Sequence, residues 1–316
     1  MINPFEHTDL LHANAFNEHT SNLNIAVNPT PKVILLRGLI GSIKIKHKFS
    51  QHEFDQTTDY VDLGNVNAGI EPVERLTKYL AQGLTTDDLG RIFKDKRFLH
   101  QNQNFFQNLS NEFSNFYYYE DKQSHTTSFT YLYRILETIS YAFPLIYAAK
   151  TDDFRGTYNF LKECLTGNKD KGELGFFKSF IKVVFESDPL FDSSISINII
   201  AETEELQQIF FNSFKKACPD ESIYSEDTVE PRTVSIKFQE YSSFIINLRN
   251  RFFHLFNSGQ PNLQSDDVLD ADYFFKLVNK QTAYWISIVV LEILRHSITT
   301  TDYKDEANDK VPIPAI

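Results

Sequence analysis

Asn247-Leu248-Arg249-Asn250-Arg251-Phe252-Phe253-His254-Leu255-Phe256-Asn257-Ser258-Gly259 is the stretch on which the reading of the chain turns. Arginine, asparagine and histidine interrupt an otherwise aromatic segment at the end of a predicted helix, Ser235–Leu255. A Gly259-Gln-Pro261 break follows, then a second long helix, Asp270–Ser297. Helical spacing puts Asn250 and His254 on one face at i,i+4, and Arg251 and His254 at i,i+3. Arg249 lies farther around the cylinder, but its long side chain can swing to the same end. No acid occurs between Glu240 and Asp266, which leaves a local positive patch.

Working outward, the second half of the chain reads as helices. Thr130–Lys150 turns Leu132, Ile135, Leu136, Ile139 and Phe143 inward, with a kink expected at Pro144. Thr151-Asp-Asp opens a helix through Leu165 that Gly167 closes, and Gly175–Glu186 is a third. Residues 187–232 carry Pro189, Pro219 and Pro231 and read as an insertion holding one helix, Glu202–Ala217. The last helix offers Tyr284, Ile288, Leu291 and Ile293 to core or interface, and the 301–316 tail is expected to be disordered.

The first half is read more loosely. Residues 1–30 are polar and predict a loose arm. Pro31–Phe49 (PKVILLRGLIGSIKIKHKF) is rich in β-branched residues and predicts one or two strands. No acid lies between Glu18 and Glu53, while Lys32, Arg37, Lys44, Lys46 and Lys48 do. That run reads as a solvated strand face or as a phosphate-contacting surface, with Lys44 and Lys46 as candidate substrate contacts. From 71 to 120 the pattern is helical. Pro72 starts one helix, Thr86 heads the next, and Phe105, Phe106, Leu109, Phe113 and Phe116 fall at helical spacing in a third.

The 316 residues carry 31 Lys and Arg against 42 Asp and Glu, a formal net charge of −11. That balance excludes a polybasic protein that coats nucleic acid, which must neutralise many phosphates. Cys164 and Cys218 are too few for a disulfide framework or a four-cysteine zinc site, and two free thiols are expected. The first residues lack a signal peptide's basic and apolar regions, and Ala283–Leu291 is too short to span a bilayer. A cytoplasmic protein without membrane contact is expected. His47 and His52 near Glu53 and Asp55 read as a polar loop, and no cofactor motif is present.

The chemistry therefore rests on the Arg-Asn-His cluster. Histidine exchanges protons near neutral pH, and arginine's fork binds phosphate oxygens without acting as a base. Asparagine can orient either partner. With neither carboxylate nor cysteine beside them, a metal centre or nucleophilic triad is not indicated. The set fits RNA phosphodiester cleavage, in which the substrate's own 2′-OH attacks.

Arg249-Asn250-x-x-x-His254 resembles the signature of HEPN domains, helical bundles found in many prokaryotic ribonucleases. The resemblance covers roughly 126–300. It implies a HEPN-like helical bundle in the C-terminal half of a mainly α protein. The residue pattern itself reads 187–232 as an insertion in that half and 31–125 as a smaller N-terminal region of one or two strands plus helices, of which the resemblance says little. The resemblance also implies a metal-independent endoribonuclease of phage defence or a toxin system, with RNA as substrate and a regulatory protein or antitoxin as a further partner. His254 would be the general acid and base, Arg249 the phosphate stabiliser and Asn250 the orienting residue. Arg251 would add substrate contact, and Glu137 would be the acid that engages Arg249. Family nucleases pair two motifs; this chain has one, so a homodimer is implied. Phe256 stands where toxins modified by a partner enzyme carry tyrosine. The alternative is a non-catalytic scaffold, or an RNA or ligand sensor, built on the same bundle.

Overall fold

The computed structural model describes residues 3–10, 30–61, 80, 84–166, 172–226, 231–254 and 262–310, with 86–87, 164–166, 172–176 and 302–310 described by backbone alone. The helix expected from Pro72, the Gly167 stop, the Cys164 thiol, Phe256 and the Gly259–Pro261 break lie outside what is described. The described residues are mainly helical and include two three-stranded antiparallel sheets. The chain divides into two units, one of Met1–Tyr118 with Ser287–Ile316, the other of Tyr119–Ile286. No described helix is long and apolar enough to cross a membrane.

In the first unit, β1 (Phe5–Asp9), β2 (Ile43–His47) and β3 (Glu53–Gln56) form a sheet in that order. β1 lies inside the expected loose arm; it is held because Phe5 is buried and the strand pairs along β2 from Phe5↔His47 to Asp9↔Ile43. The expected strands of Pro31–Phe49 are half right. Ile43–His47 is extended, but α1 (Pro31–Leu39) is a helix. All nine of its residues are buried, so it has no polar face to show a 3.6-residue period, and its Val-Ile-Leu-Leu run mimics a buried strand. Pro31 supplies the preset φ of a first helical turn. Gly41 then turns the chain at φ +69, with the Thr57 carbonyl carbon and oxygen 2.5 Å from where a Cβ would stand.

α2 (Thr86–Ile92) starts from a reciprocal cap between Thr85 and Asp88, and α3 (Lys96–His100) follows. α4 (Gln103–Asp121) buries Phe106, Leu109, Phe113 and Phe116, as its spacing predicts, whereas Phe105 is only half-buried. The buried Ser110 hydroxyl donates to the Pro31 carbonyl at 2.8 Å, tying α4 to α1.

The second unit contains α5 (His125–Ser140), α6 (Ala142–Lys150), α7 (Phe154–Thr166), α8 (Gly172–Phe185), β4 (Ser194–Ile199), α9 (Glu204–Ala217), β5 (Ile223–Ser225), β6 (Arg232–Lys237), α10 (Tyr241–Phe253) and the short α11 (Ser265–Val268). The last helix, α12 (Ala271–Lys310), begins in this unit and ends in the other, beyond the point where a disordered tail was expected to begin. Ile288, Leu291 and Ile293 are buried along it. The break between α5 and α6 is the expected effect of Pro144. Proline has no N–H for the Ser140 carbonyl four residues back, and α5 stops at Ser140.

The 187–232 stretch holds more than the one helix read from sequence. β4 and β5 flank β6 in a sheet ordered β4-β6-β5. Ile195, Ile197 and Ile199 alternate inward with Val234 and Ile236 of β6. Trp285 is buried here, its indole N–H donating to the Phe238 carbonyl at 2.9 Å. At the start of α5, His125 meets Glu120 at 3.1 Å, and Asn279 of α12 donates to the His125 carbonyl at 2.9 Å.

Candidate functional site

The helix predicted over Ser235–Leu255 is shorter than its apolar pattern suggests. Ser235–Lys237 belongs to β6, the central strand of its sheet, because Arg-Thr-Val-Ser-Ile-Lys alternates buried and half-buried positions. One 3-10 turn, Phe238–Glu240, leads into α10. There Tyr241, Ser242, Phe244, Ile245 and Leu248 are buried and hold the helix against the core. Glu240 is fastened by Lys178 at 2.5 Å and Lys182 at 2.8 Å, ammonium groups that keep its carboxyl below the usual range despite the opposing effect of burial.

α10 ends at Phe253. His254 is its cap residue, extended at φ −114 and ψ 110, with its N–H donating to the Asn250 carbonyl at 3.2 Å. The imidazole therefore leaves from the helix terminus, where it is exposed, instead of from a regular i+4 position. This brings it to Arg249. One guanidinium nitrogen of Arg249 meets both the Asn250 side-chain oxygen, at 3.0 Å, and His254 Nε2. A guanidinium can only donate, so Nε2 stands as the acceptor of this pair. The three residues read from the sequence as catalytic thus converge on one end of α10.

The partner of Arg249 differs from the one expected. Its guanidinium carbon lies 4.7 Å from the centre of the Tyr133 ring on α5. Tyr133 is buried, and that desolvation raises its phenol; the Arg249 charge opposes the rise and Glu137 adds to it. Glu137, one turn later on α5, is exposed and makes no ion pair with Arg249 among the described residues. The ring is available because Leu132, Ile135, Leu136 and Ile139 define the buried stripe of α5, and Tyr133 sits at its border. The signal was in Tyr133-Arg-Ile-Leu-Glu137, where the aromatic residue, not the acid, meets the arginine face-on.

Arg251 is half-buried beside this cluster, and burial lowers its guanidinium from its ordinary range. Its carbonyl accepts from the Leu263 N–H at 2.9 Å, which anchors the chain where it re-enters after the helix.

Lys44 and Lys46 lie in the other unit, on β2. The acid-free run of the sequence is not acid-free in space. Cross-strand pairing sets Lys44 opposite Asp55 and Lys46 opposite Glu53, and Lys44 bridges to Glu53 at 3.2 Å and Asp55 at 3.7 Å. Arg37 is buried against Asp9 at 3.0 Å. Lys32 is buried under the rings of Phe98 and Phe106, donating to the Phe98 carbonyl at 2.5 Å. Of this run, Lys32 and Arg37 lie inside the core, neither solvated nor offered to a phosphate backbone.

His47 bonds the Ser50 hydroxyl at 2.8 Å and packs on the Tyr118 ring. Among the described residues, no group of three or more His, Cys, Asp or Glu side chains is placed to hold a metal ion. Cys218 is free, and burial pushes its thiol up to about 12. No protein-family model, curated protein or solved structure matches the chain.

Proposed function

We propose that the chain is a metal-independent endoribonuclease of the HEPN type, working as a homodimer in phage defence or as a toxin. The observation that carries this reading is the convergence of Arg249, Asn250 and His254 at the end of α10, with Arg249 seated on Tyr133. Arg249 engages His254 Nε2 and is held in place by the ring and the asparagine. An incoming phosphate competes for the same donor and frees Nε2 as a base. His254 then takes the 2′-OH proton, the 2′-oxygen bonds to phosphorus, and the bond to the 5′-oxygen breaks. Arg249 stabilises the charge that builds on the phosphoryl oxygens.

The departing 5′-oxygen takes up a proton from the imidazolium just formed, or from a protonated imidazole that the second protomer of a homodimer supplies. The products are a 2′,3′-cyclic phosphate, or its hydrolysed form, and a 5′-hydroxyl. A regulatory protein or antitoxin that covers the end of α10 would restrain the reaction. Induced expression tests the reading in cells. Growth arrest by the wild type, relieved by His254→Ala and by Arg249→Ala, supports it; identical behaviour of all three chains overturns it.

A second reading, a non-catalytic interaction protein, is favoured by one observation. Tyr141 and Leu145 near α6 and Phe154 and Tyr158 on α7 are more than half exposed, at 61%, 72%, 89% and 63%. Phe154 and Tyr158 are one helical turn apart, as in a helix face that receives a protein partner. Under this reading the alanine variants leave every phenotype unchanged, while charge placed at Phe154 abolishes it.

A further inference from the structure

Against Phe252, in the last turn of α10, the second unit contains a cavity of about 320 Å³. One wall is the Phe252 ring on α10; the others come from the segment that follows, through Leu263, Gln264, Ser265, Leu269 and Ala271. Its size sits at the small end of ligand pockets, about 300–1,000 Å³, which suits one flat ring system and not a length of backbone. Phe252 and Leu263 supply apolar faces. Phe252 is fixed by an edge-on contact to Phe275 with ring centres 4.8 Å apart. Gln264 and Ser265 are exposed at the rim. The Gln264 N–H donates to the Asp267 carboxylate and the Asp267 N–H returns to the Gln264 backbone carbonyl, each at 3.0 Å, while the exposed Gln264 amide carries an NH₂ donor. Three nearby aspartates are already committed to backbone N–H groups: Asp267 to Gln264, Asp270 to Tyr273 and Asp272 to Thr126.

The backbone adds an independent sign. Leu269 has φ 53 and ψ −64, and the Asp270 N–H bonds back to the Val268 carbonyl at 2.6 Å. That is a γ-turn of positive φ, a rare and strained geometry for a branched residue. The Leu269 side chain is 54% exposed, so burial of the leucine does not account for the strain. Strain of this kind, of order 1–3 kcal/mol, clusters at ligand sites. Here the turn sets the position of one wall.

We infer that this cavity is a nucleobase pocket that seats one unstacked base of a single-stranded RNA next to the phosphate held by Arg249. Phe252 and His254 are two residues apart, at most about 7 Å of chain, which is the reach of one nucleotide from phosphate to base. The hydrogen bond from Leu263 to Arg251 ties the far wall to the same helix end. Stacking on an aromatic face, with rim donors reading an acceptor edge, is how splayed-out bases are held. The choice of a base as occupant rests on the nuclease reading; the pocket itself does not.

Titrating the purified full-length chain with adenosine, guanosine, cytidine, uridine and, separately, inorganic phosphate tests this by calorimetry. At least one nucleoside is expected to bind wild type, with affinity falling about tenfold or more in Ala271→Phe, which fills the cavity. Ser265→Trp, at the exposed rim, gives the same loss without touching the core. Phe49→Ser, at an exposed site in the other unit, retains nucleoside binding to within about twofold. Failure of all four nucleosides to bind wild type, or equal binding by wild type and both filled variants, overturns the pocket. Nucleoside binding without RNA cleavage overturns the nuclease reading and leaves the pocket standing, and cleavage without nucleoside binding does the reverse.

Discussion

Lys32 should weaken the fold it sits in, and replacing it by methionine should strengthen that fold at neutral pH. Its ammonium is fully buried and, among the described residues, has no carboxylate in contact; there it meets the Phe98 carbonyl and two aromatic faces. Desolvation pulls its pKa from 10.5 to about 7. At about 1.36 kcal/mol per tenfold change in the proton equilibrium, that drop is worth about 5 kcal/mol against the charged form. The unfolded chain keeps the proton up to pH 10.5, while the folded chain gives it up near pH 7. The unfolded state therefore binds more protons in that window, and stability rises with pH across it, by about 2 kcal/mol from pH 7 to pH 9.

Methionine keeps the chain length without the charge but loses the hydrogen bond and the ring contacts, together about 2 kcal/mol. The net gain expected for Lys32→Met at pH 7 is about 2 kcal/mol, shrinking to zero or reversing by pH 9. Urea unfolding followed by circular dichroism at both pH values measures it, and comparing variant with wild type cancels the other titrating groups. A destabilised variant at pH 7, or a difference that does not change with pH, refutes the reasoning.

Two further outcomes follow from single contacts. Gly41→Ala sets a methyl group 2.5 Å from the Thr57 backbone at a positive φ, and should cost about 2–4 kcal/mol in the same urea assay. Tyr133→Phe keeps the ring under Arg249 and should leave kcat/KM for RNA within about threefold of wild type, whereas Tyr133→Leu should lower it about tenfold through loss of the cation–ring contact.

How much of this could be read in advance depended on whether burial left a period in the sequence. α9 was legible because its acids stand in the first turn and its lysines in the last, around a single apolar stripe. α5 was legible from Leu132, Ile135, Leu136 and Ile139, and Pro144 marked its end. α1 was not, because a helix buried on every side loses the contrast on which periodicity depends. β4 is legible in principle, since Ser-Ile-Ser-Ile-Asn-Ile alternates without a fault, but Pro189, Pro219 and Pro231 around it give the stretch the composition of loops. β1 carries no such signal, since its place is fixed by β2, more than thirty residues away.

At the candidate site, the cluster of Arg249, Asn250 and His254 was legible as a spacing. The extended backbone at His254 and the seat on Tyr133 were not, because both depend on where α10 stops and on what α5 presents to it. The surroundings of the basic run are hidden for the opposite reason. Its counter-charges, Asp9, Glu53 and Asp55, come from neighbouring strands and are visible only once the register is known.

The most direct test is cleavage of a defined single-stranded RNA by purified protein in EDTA, with the ends of the products identified. The account predicts 2′,3′-cyclic phosphate ends from wild type and a rate lower by about a hundredfold or more in His254→Ala, the usual weight of a general acid–base. Equal cleavage by wild type and His254→Ala would contradict it, as would no cleavage by a wild-type homodimer freed of any bound partner.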